Sequence, residues 1–150
     1  MYVSAKAEYA LRALVALAAA GRPMTADELA RSQDLPASYL EAILVDLRRR
    51  GIIISRRGPS PGYRFVRPPD EVTPADVIRI VDGPLAEIRG IRPEATSYTE
   101  EVGALQLLWV ALRTSLRRVL EGVTIAQLAE GRLPRNLRSL VADPEAWRPR

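Results

Sequence analysis

The chain has 150 residues, 47% of them hydrophobic, and a net charge of +4, which suits one substantial core with an appended oligomerisation element rather than two independent domains. It has no cysteine and no histidine. That excludes disulfides, thiolate or imidazole metal sites and cysteine or histidine catalysis, so neither metal nor cofactor is expected.

The charge is segregated. Residues 1–67 carry 11 basic and 6 acidic side chains, residues 68–131 carry 6 and 10, and residues 132–150 carry 5 and 2. A basic N-terminal half is the electrostatic footprint of a polyanion binder. The apolar stretch LRALVALAAA is short and contains Arg12, so a membrane span or signal peptide is not expected and a cytoplasmic location is. Lys6 is the sole lysine; an arginine-dominated set suits bidentate phosphate and guanine contacts.

Ser4 is placed to cap a first helix running to about residue 20, with Tyr9, Leu11, Leu14, Leu17 and Ala18 on its apolar face and Gly21 as its stop. Thr25 and Glu28 form a capping box that opens a short helix, ADELARSQ, with Leu29 and Ala30 inward. A third helix begins near Pro36. Leu40, Ile43, Leu44 and Leu47 fall at i, i+3, i+4 and i+7, and Gly51 ends it. The period then changes: IIIS is β-branched, RRGPSPG is turn chemistry and YRFV is strand-like again, which predicts a β-hairpin. Helix, short helix, turn, helix and hairpin is the element order of a winged helix-turn-helix. The expected fold is mainly α with a small β-hairpin.

Beyond Pro68 and Pro69, Thr73 and Asp76 form a second box opening PADVIRIVD, and Gly83-Pro84 closes that helix. Residues 85–98 show no clear period and are expected to be a loop. From about residue 98 to 121, Val102, Leu105, Trp109, Leu112, Leu116 and Val119 recur in alternating steps of three and four, with Leu108 and Leu120 widening the stripe. That is more apolar surface than one short chain covers, so a homodimer interface of Val102, Leu105, Leu108, Trp109, Leu112, Leu116 and Val119 is expected. Thr124 and Gln127 form a third box. In the Arg- and Pro-rich tail from Gly131, Leu137, Leu140 and Val141 leave a docked turn and disorder both open.

Three pieces, the SYLE start of the third helix, the RGP..GY hairpin and the GPLA after the fourth helix, occur in order within a similarity over about residues 2–130. With them the chain resembles the Rrf-two family of bacterial winged helix-turn-helix transcriptional regulators, which includes the cluster-binding regulators IscR and NsrR. The resemblance implies a homodimer whose long helices cross, with paired winged helices on a palindromic double-stranded DNA operator. The chain is expected to divide into a DNA-binding region (1–69), a connecting and dimerisation region (70–130) and a tail (131–150). Cluster-binding members carry three cysteines, and the resemblance sets Ile91, Ser97 and Gly103 near those positions, with Gln106 where some members have histidine. None of these is an iron ligand, so a member without the cluster is expected. Ser60 and Pro61 replace glycines frequent at the wing tip, which stiffens the arc.

The expected DNA-binding residues are Ser38, Tyr39, Glu41 and Ala42 at the start of the third helix, Arg48 and Arg49 at its end, and Arg56, Arg57 and Ser60 on the hairpin. Hydroxyls donate to phosphate or base edges, Glu41 accepts from a cytosine amino group, and guanidinium groups suit a narrow minor groove. Arg48 and Arg49 also fit plain helix-dipole capping, and Arg56 and Arg57 fit charge decoration of a hairpin edge. Glu100 and Glu101 suit the start of a helix without any catalytic role. The acids are scattered, so no catalytic site is expected. The alternative function is a winged-helix protein-interaction module. The signal is open between a small molecule held between winged helix and long helix, a partner protein, and no effector.

Overall fold

The structure, a computed structural model, describes residues 2–149. Helices α1 (Ala5–Ala20), α2 (Ala26–Gln33) and α3 (Ala37–Arg49) precede an antiparallel hairpin of β1 (Ile53–Arg56) and β2 (Gly62–Phe65). Then follow α4 (Pro74–Val81), α5 (Ala104–Leu120), α6 (Ile125–Ala129) and α7 (Arg135–Val141). Among the described residues no helix is long and apolar enough to cross a membrane.

The predicted caps form. Ser4 Oγ accepts from the Ala7 amide at 2.9 Å, and the hydroxyl donates to Asp82 at 2.6 Å, tying the start of α1 to the end of α4. All three capping boxes close, at Thr25–Glu28, Thr73–Asp76 and Thr124–Gln127. Each satisfies backbone donors that helix geometry leaves without intrahelical partners. Leu40, Ile43, Leu44 and Leu47 are fully buried, and with Leu14, Leu17, Leu29, Ile52 and Ile53 they build the core. Truncating any one of the α3 leucines costs about 2–5 kcal/mol.

The buried stripe of α1 differs from expectation. Ala7, Ala10 and Ala13 join Leu14 and Leu17 inside, whereas Tyr9, Leu11 and Ala18 are only half-buried. The reason is a neighbour: α6 packs directly on α1. Small side chains permit that close approach. α6 is held by the Ile125 amide donating to Val72 O at 2.8 Å and the Ala126 amide donating to Pro69 O at 3.0 Å, with Ile125 wholly buried in the same core.

The hairpin gains a third partner. Met24 and Tyr63 exchange both backbone hydrogen bonds, at 3.1 and 2.7 Å, so β2 lies between β1 and the turn leading into α2. Residues 85–98 contain a bridge between Ile88 and Ile91 and a 3-10 turn at Pro93–Ala95. The long helix opens with a 3-10 turn at Glu100–Val102 and becomes α-helical from Ala104, leaving Tyr98 outside it. The tail is helical and docks through Leu137, while Leu140 and Val141 remain exposed.

Candidate nucleic-acid interface

The turn between α2 and α3 sets the interface. Asp34 adopts the left-handed conformation, its amide capping α2, and Leu35 drops into the core. With Leu40, Ile43, Leu44 and Leu47 pointing inward, 3.6-residue geometry leaves Ser38, Tyr39, Glu41 and Ala42 on the outside of α3, and all four are exposed. Tyr39 keeps 42% of its surface free, yet its ring is pinned edge-on against Tyr9 at 5.7 Å. Arg12 lies over the Tyr9 ring at 5.9 Å and donates to the Gln33 carbonyl. The Tyr39 ring is therefore held in one orientation, with reduced rotamer freedom.

Arg48 and Arg49, with the unanticipated Arg50, stand exposed at the end of α3. The nearby Asp46 does not neutralise them by contact. It is ion-paired to Lys6 at 2.9 Å, and that hydrogen bond, ahead of weaker attraction from Arg49 and Arg50, holds its carboxyl below the usual aspartate value.

On the hairpin, Arg56 lies opposite Gly62 and Arg64 opposite Ile54. Alternation puts Arg56 and Arg64 on one face. Arg57 follows in the exposed arc. Ser60 and Pro61 lie beside Arg22, Thr25 and Glu28, against the start of α2. Among the described residues, Arg48, Arg49, Arg50, Arg56, Arg57 and Arg64 have no carboxylate within ion-pair distance, whereas Lys6, Arg12, Arg22 and Arg67 each do. Arg50 and Arg64 share this unpaired state but were not among the residues expected from the sequence. The RRR run of residues 48–50 and the strand alternation were the available signals.

The expected dimer residues divide. Val102, Leu105, Leu108, Leu112 and Val119 are exposed, joined by Leu107, while Trp109 and Leu116 are half-buried. Trp109 Nε1 donates to the Tyr98 hydroxyl at 2.9 Å within the chain. No residue of α5 is fully buried.

A family model described as Rrf2, iron-dependent transcriptional regulator, matches residues 3–131. The putative HTH-type transcriptional regulator Rv1287 of Mycobacterium tuberculosis is 44% identical over 97% of this chain and 92% of the relative. The HTH-type regulator CymR of Bacillus subtilis is 30% identical over 86% of this chain and 90% of its own length. In structure, the global cysteine regulator CymR of B. subtilis superposes with a TM-score of 0.74 at 28% identity, covering 87% of this chain and 98% of that one. The IscR of T. potens gives 0.67 at 27%, covering 93% and 96%.

The iron in the family description finds no fitting donors. Ile91 and Ser97 are exposed, and Gln106 uses its amide to donate to the carbonyls of Glu94 (3.1 Å) and Thr96 (2.6 Å), closing the loop onto α5 with hydrogen bonds. Thiolate and imidazole are absent from the whole sequence, so the usual cluster ligands do not exist here. With the winged helix-turn-helix fold shared with CymR and a family match spanning most of its length, the chain belongs to the Rrf2 family of DNA-binding transcriptional regulators, as a non-enzymatic member without cluster ligands.

Proposed function

We propose that the protein acts as a homodimer that reads a palindromic operator, with residues 1–69 contacting DNA and residues 70–130 carrying the dimer contact. The observation that carries this reading is the set of arginines at the end of α3 and on the hairpin, all exposed but the half-buried Arg64, none of which a carboxylate neutralises among the described residues. Leaving that many guanidinium groups unpaired in one region costs self-repulsion, which phosphates offset by releasing counterions. Ser38, Tyr39, Glu41 and Ala42 face the major groove. Arg56, Arg57 and Ser60 serve the wing, and Arg48 and Arg49 touch backbone phosphates.

Two variants separate positioning from reading. Arg57→Ala weakens binding to every sequence and lowers the salt slope by about one unit. Glu41→Ala leaves non-specific binding intact and relaxes discrimination at one base pair per half-site by roughly 1–3 kcal/mol. Competition binding against an operator library at several salt concentrations reads both. If both variants keep wild-type affinity, salt slope and base preference, the hairpin is not a DNA-reading wing and the chain is a winged-helix protein-interaction module.

A further inference from the structure

Helix α4, the segment between residues 83 and 94, and α5 surround a solvent-open cleft of about 490 Å³. Only six basic side chains occur between residues 68 and 131, and four of them, Arg79, Arg92, Arg113 and Arg117, line this cleft. They are under-compensated. Glu94 accepts from Nη1 of Arg113, and Glu121 is shared by Arg79 and by Arg117, the latter at 3.1 Å. The Arg92 side chain has no hydrogen bond or ion pair among the described residues and only attracts Glu94 at a distance. Four cations against two carboxylates leave two positive charges.

Arg113 also carries the one enclosed side-chain donor among the described residues that has no acceptor, its Nε–H. An unsatisfied buried donor is costly. In a guanidinium, Nε–H and a neighbouring Nη–H form the edge that grips an oxyanion with two parallel hydrogen bonds. Glu94 occupies Nη1 and leaves Nε unused, so a modest turn of Arg113 into the cleft presents that edge to a ligand. Pro84, Leu85 and Ala86 supply an apolar wall, and the volume falls in the range of small-molecule sites.

We propose that this cleft binds a small dianion, held through carboxylate or phosphate oxygens by Arg92, Arg113 and Arg117, with any apolar body against Pro84 and Leu85. Because α4 packs on α1 and α3 while α5 carries the exposed stripe, a ligand bridging them biases the angle between the winged helix and the long helix. That regulatory consequence rests on the proposed DNA-binding role; the binding does not.

Isothermal titration calorimetry on the full chain at pH 8 and fixed ionic strength, with inorganic phosphate and succinate, both dianions there, separates phosphate from carboxylate chemistry. At least one probe is expected to saturate at one site per chain. Arg92→Gln and Arg113→Gln each weaken it by about tenfold or more, while Arg118→Gln, outside the cleft, leaves it unchanged. Arg92 is exposed, so its variant tests the site even if Arg113→Gln unfolds. No saturable binding at millimolar concentration, or binding indifferent to Arg92→Gln, overturns the proposal. Operator affinity measured with and without the saturating anion then tests the coupling. Unchanged affinity defeats the coupling and leaves the site, whereas absence of any DNA binding defeats the DNA-binding role and leaves the site equally intact.

Discussion

Gly62 has φ 128°, and a Cβ there meets the Met24 carbonyl carbon at 2.5 Å. Both the left-handed backbone and the close approach of the turn at Met24 and Thr25 demand glycine. Gly62→Ala is expected to destabilise the fold by about 2 kcal/mol or more, read as a lower urea midpoint with an unchanged m-value. A wild-type midpoint overturns the account of the Met24 bridge. That constraint was invisible in the sequence, because the RGP..GY pattern marks a turn but says nothing of residue 24. The exposed face of α3 was legible, because one periodicity fixes inside and outside together. The cleft arginines were not, because four residues spread between positions 79 and 117 converge only once α4 and α5 are packed.

Helix starts were the most legible elements, since a capping box is complete within four residues and owes nothing to the rest of the fold. The box at α2 carries a pH signature. The Thr25 backbone amide, donating to Glu28 Oε2 at 2.7 Å, is the main reason the Glu28 carboxyl sits below the usual glutamate value, with Arg22 helping. A folded pKa below the unfolded one contributes stability that is present above the ordinary carboxylate range, about pH 4, and lost as pH falls through the folded value. Glu94, Asp46 and Glu121 are shifted the same way, Glu94 chiefly by its own backbone amide, Asp46 by Lys6 and Glu121 by Arg79 then Arg117. Melting temperature should therefore fall on acidification below about pH 4, and Glu28→Gln should flatten part of that fall. Identical pH profiles for wild type and variant count against the linkage. Helix α6 shows where local reading ends. Its capping box is plain in the sequence, but its seat on α1 is not, because alanines at positions 7, 10 and 13 look like propensity rather than an interface. Ile125→Ala, in a helix of five residues, should nevertheless cost about 2–5 kcal/mol, as a fully buried core residue does and a peripheral one does not.

At the scale of the molecule, the distribution of apolar surface is the basis for the proposed assembly. The core is complete without α5: its helices and hairpin close around Leu14, Leu40 and Ile125 while α5 buries no residue fully. Its alternating three-four spacing was legible as a stripe, yet two of its members face their own chain, because Trp109 finds a hydroxyl partner in Tyr98 and Leu116 follows the same inward row. What remains outward is Val102, Leu105, Leu108, Leu112 and Val119, flanked by Leu107, 71% exposed. A helix of 17 residues spans about 25 Å, and a row of leucines over that length is an association surface rather than scattered exposure. In the proposed homodimer a second copy covers it, since the same stripe on a two-fold-related helix is its own complement. Leu112→Glu places a carboxylate mid-stripe, where it desolvates on association but not on folding, because Leu112 is 43% exposed within the chain. Sedimentation should find the wild type dimeric at micromolar concentration and the variant monomeric, with the same helical circular dichroism. The two-fold axis of the proposed dimer would pair its DNA sites, so the monomeric variant should also lose operator binding far more than half-site binding. A variant that stays dimeric, or a wild type that sediments as a monomer, assigns the stripe to another partner.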